Sequence, residues 1–351
     1  MTDTELPIRH IFRWDLDKTY LRTDFDTLRD LIRTAMQKPE EKVNVPGVVT
    51  LLKELTRPGP NGRALVTFIS GSPTQMRTRL ERKFEIDGIE PDVFILKPTL
   101  QNILKGRFKA VRGQVGYKLD TLLRVRAHSP PAPETLFGDD AEQDAFIYSL
   151  YADLAAGRID EVTLREILSE AHVYSTTRQS IMEHFATLNH EGTVGRIFIH
   201  LDRYTAPGRF WVYGPRVVPI TNYFQTALIL YSDEVLEASS VIRVAAGMIS
   251  GADYGIHELA NSFQDLTRRR HLDAATIDRL AAEIPHAEDY AAVPPQFMDR
   301  LLARVRALAP RSDGGQAKKW EGPPDYIAVL RADKKLRDLV KEEGRGPGLF
   351  S

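Results

Sequence analysis

The chain has 351 residues, 42% hydrophobic and 27% charged, with 47 Lys plus Arg against 48 Asp plus Glu, a net charge of −1, and no cysteine. That composition supplies a sizeable apolar core. It excludes disulfides, a thiolate nucleophile and cysteine-bound zinc, and it gives no overall positive field to attract nucleic acid or an anionic membrane. The N-terminal run "MTDTELPIRHIFRW" lacks the apolar core of a signal peptide. The longest apolar run, "VVPITNYFQTALILY", carries Asn222 and Gln225 and is too short to span a bilayer. These features lead to the expectation of a cytoplasmic protein without a transmembrane segment or stable nucleic-acid binding.

Taken in order, the first elements alternate. A short β run over His10–Asp17 ends in acids, and Val45–Leu55 has apolar residues at helical spacing. After the breaker "RPGPNG", Arg63–Ser70 is a continuous apolar strand of the buried parallel type. "SPTQMRTRLERKF" reads as a helix with Ser72 as N-cap and Pro73 at its first position. "PDVFILKP" is a strand and "YKLDTLLRVRA" a helix opened by Tyr117 and Lys118; "ETLFGD" is a strand and "AEQDAFIYSLYADL" a helix. Two further strands follow at Gly195–Asp202 and Pro215–Thr221. Strands separated by helices specify an α/β fold, a parallel sheet with helices on both faces.

The expected division is a catalytic domain over 1–231, interrupted by a helical insertion at about 155–193, then a helical accessory region over 232–310. Residues 311–351 read as a Pro/Gly-rich linker, one charged helix and a mobile tail.

Ligands of an open parallel sheet bind outside the carboxyl ends of its strands. The first strand delivers Asp15, Leu16, Asp17, Lys18 and Thr19; the second Ser70, Gly71 and Ser72; the fourth Gly138, Asp139 and Asp140, with Asp144 a turn later and Lys118 on the preceding helix. Crowded carboxylates repel, and a hard divalent cation such as Mg²⁺ offsets that repulsion. Two acids one residue apart can divide nucleophilic attack from proton transfer. A hydroxyl and an ammonium can hold phosphoryl oxygens. This set suits metal-assisted phosphoryl transfer.

The quartet "DLDKT", "FISGS", "YK" and "GDDAEQD" resembles, in order and strand context, the four motifs of the haloacid-dehalogenase superfamily, over roughly residues 8–230. The resemblance implies a Rossmann-like three-layer sheet with a minimal cap. It implies Asp15 as the nucleophile that becomes an aspartyl-phosphate, and Asp17 as general acid/base whose main-chain carbonyl also touches Mg²⁺. Thr19 stands at the position typical of the phosphatase branch, Ser70 with Gly71 at the phosphate-binding turn, and Lys118 as the charge-balancing lysine. Asp15, Asp17, Asp139 and Asp144 make up the implied Mg²⁺ set, with Asp140 outside it. "FISGSP", "FILKPTLQNIL" and "FGDDAEQDAFIYSLYADLAAGRI" resemble the phosphatidate phosphatase catalytic-domain family related to the fungal actin-patch lipid phosphatase. Lys18, where that family often has an acid, and the insertion at 155–193 depart from its pattern.

Short inserts between the motifs imply an open site for a bulky, lipid or macromolecular phosphomonoester. The alternatives are a phosphatase of nucleotides or nucleic-acid ends, and a non-catalytic binding protein of the same fold. His190 and His200 lack zinc-ligand spacing and read as structural; "TRRRH" (Thr267–His271) reads as a solvated helix end, and "NYFQTALILY" as core.

Overall fold

The computed structural model describes residues 6–23, 38–59, 62–97, 107–252, 254–284, 297–308 and 322–343. Of the two short inserts expected at 22–42 and 99–114, residues 24–37 and 99–106 lie outside the described residues, as do most of the linker (311–321) and the tail 344–351. Six parallel strands, β1 (Ile8–Trp14), β2 (Arg63–Pro73), β3 (Val93–Lys97), β4 (Glu134–Asp139), β5 (Val194–His200) and β6 (Val217–Ile220), form one sheet in the order β3-β2-β1-β4-β5-β6. The chain walks outward from β1 to β3, then returns to the other side of β1. The reversal between β1 and β4 opens the crevice in which sheets of this kind bind ligands.

The strands alternate between two cores. Phe12, Trp14, Phe68, Phe137 and Phe198 face one side, where they join α1 (Val48–Thr56), α2 (Arg77–Asp87), α7 (Tyr223–Ser232), α8 (Ala238–Ala252) and α9 (Ile256–Arg268). α10 (Ala274–Glu283) and α11 (Phe297–Leu308) extend this core, so the helical C-terminal region shares the sheet's own apolar interior. Ile69, Leu136, Ile197 and Ile199 face the other side, against α3 (Arg107–Ala127), α4 (Asp144–Ala155), α5 (Glu161–Glu170) and α6 (Ser175–Ala186). α12 (Tyr326–Glu343) docks on this layer through the Tyr326 hydroxyl, which donates to Asp153.

An aromatic ladder runs across four strands. Trp14 pairs in register with both Phe68 and Phe137, and Phe137 with Phe198. The Trp14 and Phe137 rings stack with centroids 3.7 Å apart and planes 4° from parallel. Each ring precedes a strand-end polar residue, so the ladder levels the strand ends that carry Asp15, Ser70 and Asp139.

Two local readings change. β2 runs to Pro73 and a 3-10 turn at Thr74–Met76 follows, so α2 begins at Arg77 and Ser72 caps nothing. Ser72 stays buried at the strand end because its hydroxyl has a partner there. Lys118 does not open its helix: α3 begins at Arg107, and Lys118 lies well inside it. The glycine at 116 marks a close packing rather than a helix end, since a Cβ there would stand 2.8 Å from Val173 and 3.0 Å from Thr177.

Beneath the ladder, Glu134 accepts from Arg13 Nε at 2.5 Å, Arg126 Nη1 at 2.5 Å and Tyr151 OH at 2.8 Å, all buried. Burial pushes its carboxyl up, but the two guanidiniums outweigh burial and hold it low. Removing this acid leaves two buried cations uncompensated. Glu134→Ala should cost about 3–5 kcal/mol in urea unfolding.

Candidate active site

Asp15 leaves β1 hydrogen-bonded through its N–H to Phe137 O at 2.8 Å, so its position is tied to β4. The next residues turn sharply. Lys18 adopts φ +59°, its carbonyl accepts from His200 Nδ1 at 2.7 Å, and its ammonium pairs with Asp202 at 3.1 Å. The Thr19 carbonyl accepts from Tyr223 OH at 2.7 Å. Groups reaching across from the β5–β6 side therefore hold the loop in a left-handed conformation that an unbranched side chain adopts only under constraint. His200 is structural, as its sequence context suggests, and it acts on this loop.

Lys118, fully buried, reaches from α3 to Asp15 Oδ1 at 2.8 Å, Glu142 Oε2 at 2.7 Å and Asp144 Oδ1 at 2.5 Å. Asp139 Oδ1 accepts from the N–H groups of Ala141 (2.5 Å) and Glu142 (2.9 Å), which folds the acidic run into a turn. Gly138 lets α4 close on that turn: a Cβ would come within 2.6 Å of Asp144 Cβ. One oxygen from each of Asp15, Asp139, Glu142 and Asp144 lies within 4.8 Å of the others. Asp15 Oδ2 and Asp139 Oδ2 are buried without a hydrogen-bond partner.

The sequence-predicted residues thus divide into groups. Asp15, Asp139, Asp144 and Lys118 converge. The Asp17 carboxylate turns elsewhere, accepting from Ser72 Oγ at 2.7 Å and Ser70 Oγ at 3.3 Å. Ser70 Oγ also accepts from Ser72 N at 2.9 Å across the Gly71 turn, and the Ser70 carbonyl accepts from Tyr117 OH at 3.1 Å. Thr19 Oγ1 is buried with no partner. Asp140 lies apart, its carboxylate accepting from the N–H groups of Arg203 (2.8 Å) and Thr205 (3.0 Å) to pin the loop after β5. Sequence reasoning missed Glu142, hidden inside an acidic run, and Ser72, read as a helix cap. Lys97, at the end of β3, is a further cation near the cluster, its ammonium 5.6 Å from the Tyr117 ring centre.

The electrostatics follow from burial. Asp15 and Asp139 are pushed well above the usual carboxylate range by desolvation; neighbouring acids reinforce the shift and Lys118 opposes it. Asp144 is raised to about 6 by the same burial, against the pull of Lys118. Burial would raise Glu142 too, but Lys118 and its hydrogen bonds hold it low. Desolvation would lower Lys118, yet the carboxylates around it hold its proton firmly. Asp17 is raised by burial, with the Ser72 hydroxyl opposing.

A parallel sheet whose strand ends gather these acids, a buried lysine and a serine turn defines a phosphatase of the haloacid-dehalogenase type, a phosphoric monoester hydrolase. More narrowly, residues 14–166 match the family described as phosphatidate phosphatase APP1, catalytic domain. No curated protein and no solved structure matches the chain. Among the described residues, no helix is long and apolar enough to cross a membrane.

The raised acids make a stability prediction. In the unfolded chain Asp139 ionises at the ordinary carboxylate pH. In the fold it holds its proton to higher pH, so its contribution is present at low pH and lost as pH rises through the folded value. Asp139→Asn keeps the Oδ1 acceptor and removes the charge. In chelator at about pH 8 this variant should be more stable than the parent by roughly 1 kcal/mol or more in urea unfolding. Saturating Mg²⁺ should reverse the order.

Proposed function

We propose that the protein is a Mg²⁺-dependent phosphomonoester hydrolase that works through an aspartyl-phosphate on Asp15, with a bulky or lipid phosphate as the favoured substrate class. One observation carries the metal requirement: four carboxylates crowd a single buried ammonium, and two of their oxygens, on Asp15 and Asp139, have no partner. Protons or a cation must offset that charge, and an all-oxygen donor set suits a hard divalent ion. Asp15, Asp139 and Asp144 would hold it, with Glu142 at hand and the Asp17 main-chain carbonyl as the family resemblance implies. When bound, the ion would draw charge from the phosphoryl oxygens and ease the repulsion among the acids.

The remaining work falls to the chain's own groups. An Asp15 carboxylate oxygen attacks phosphorus, forming the P–O bond of the acyl phosphate as the bond to the leaving alcohol breaks. Asp17, which burial favours in its protonated form, gives that proton to the departing oxygen. Asp17 then takes a proton from water as the water oxygen attacks phosphorus; the bond to Asp15 breaks and orthophosphate leaves. In this reading the Ser70 hydroxyl, the backbone N–H groups of the Gly71 turn and the Thr19 hydroxyl, which has no hydrogen-bond partner, would donate to the phosphoryl oxygens. Lys118, 2.8 Å from Asp15, opposes the upward pull of burial on that carboxyl, and a bound ion would complete its ionisation for attack. The lipid reading draws on the matched family.

Phosphate release from an aryl phosphate and from a short-chain phosphatidate should require Mg²⁺ and stop on chelation; turnover in chelator would overturn the metal assignment. Asp15→Asn should abolish release and yield no covalent label in rapid quench with labelled substrate. Asp17→Asn should accumulate label on Asp15 when the leaving group is an activated phenol. Label on any other residue would refute the mechanism. Lys118→Ala should lower kcat by about 10²-fold or more.

A further inference from the structure

A second feature adjoins Asp17. Leu21 bridges Asp17 on one side and Asn44 on the other, and Arg22 N donates to Val43 O at 2.8 Å. The 42–45 segment therefore lies one backbone layer from Asp17. Its first residue, Lys42, is 5% exposed. Burial pushes the Lys42 ammonium's pKa down; the Asp17 charge opposes this and the Arg79 guanidinium adds to it, so all three share one electrostatic neighbourhood.

Beside this segment lies a cleft of about 590 Å³, with Arg22 and Lys42 in its lining, apolar walls from Val43, Val45 and Val49, and a border of α8 at Gly247 and Gly251. α8 packs tightly on the first turn of α1 and runs on past its start at Val48. At Gly247 a Cβ would stand 2.5 Å from Thr50 Oγ1, whereas at Gly251 it would meet nothing within 4 Å. The cleft is therefore a built concavity, with a cationic end next to Asp17 and an apolar flank. Clefts of this size hold the non-reacting part of a small ligand.

We propose that this cleft is the leaving-group subsite: it takes the alcohol portion of the substrate, with Lys42 and Arg22 pairing with a second anionic group on that alcohol and the valine wall covering its hydrocarbon. This rests on the phosphatase reading, in which Asp17 protonates the leaving oxygen, because Asp17 is the acid that the cleft adjoins. The subsite favours doubly anionic phosphate esters with an aliphatic spacer over simple alkyl phosphates. Binding energy from a remote charge of this kind positions the ester for attack.

The probes are a short-chain monoalkyl phosphate and the α,ω-alkanediol bisphosphate of equal chain length. Equilibrium binding to Asp15→Asn in saturating Mg²⁺, read by calorimetry, should favour the bisphosphate by roughly tenfold after correction for its two equivalent ends. Adding Lys42→Met should bring the ratio to about one. Gly251→Leu should fold at least as stably as the parent, since it replaces a helical glycine where space is open. It should weaken binding of both probes, and more so as the chain lengthens. A bisphosphate preference that survives Lys42→Met, or a Gly251→Leu variant that binds both probes normally, overturns the subsite. Selective binding without turnover of either probe by the parent would leave the subsite standing and refute the hydrolase reading instead.

Discussion

Repulsion among buried acids is the constraint on which this site rests. Asp15, Asp139, Glu142 and Asp144 share a space only a few ångströms across, with Lys118 as the cation inside it. Such an arrangement is unfavourable by itself: burial and like charge both oppose ionisation, and one ammonium cannot neutralise four carboxylates. The surrounding fold supplies what the cluster lacks. The Glu134 network, in which one carboxylate accepts from Arg13, Arg126 and Tyr151, ties β1, β4, α3 and α4 together. There opposite charges pair in the protein interior, whereas the strand ends gather charges of one sign around a single ammonium.

The sheet's aromatic ladder turns this tension into geometry. Because Phe68, Trp14 and Phe137 sit in register, the polar residues beyond them emerge at one level. The loop after Asp15 is then fixed from the opposite flank by His200, Asp202 and Tyr223. Asp15 and Asp17, near-equivalent acids in sequence, end in different surroundings: one against an ammonium, the other between two serine hydroxyls. That divergence of environment supports a division between attack and proton transfer.

Much of this was legible in the sequence because parallel strands put chemistry at their carboxyl ends, and a buried apolar run marks where each strand stops. Asp15, Ser70 and Asp139 follow such runs. The residues that escaped did so for local reasons. Ser72 resembles a helix cap before a proline, but β2 continues past it and a 3-10 turn intervenes. Lys118 reads as lying at a helix start when the helical pattern is taken from Tyr117; α3 in fact begins at Arg107, and Gly116 within it admits the close approach of Val173 and Thr177. Glu142 is one acid in a run, and only the turn built by the Asp139 carboxylate selects it over Asp140. Lys42 is 25 residues from Asp17 in sequence and has no motif; the Leu21 bridges that bring it near are a tertiary fact.

The stacked Trp14 indole has an optical consequence. It is fully buried, one residue from Asp15, and lies face to face with Phe137, one residue before the Gly138–Asp139 pair. Trp211, by contrast, is 73% exposed. An apolar indole emits at shorter wavelength than a hydrated one, so the two separate spectrally. Ion or phosphate entry that shifted either strand end would change the overlap of the stacked rings, so Trp14, isolated by replacing Trp211 and Trp320, would serve as an intrinsic fluorophore beside the candidate site.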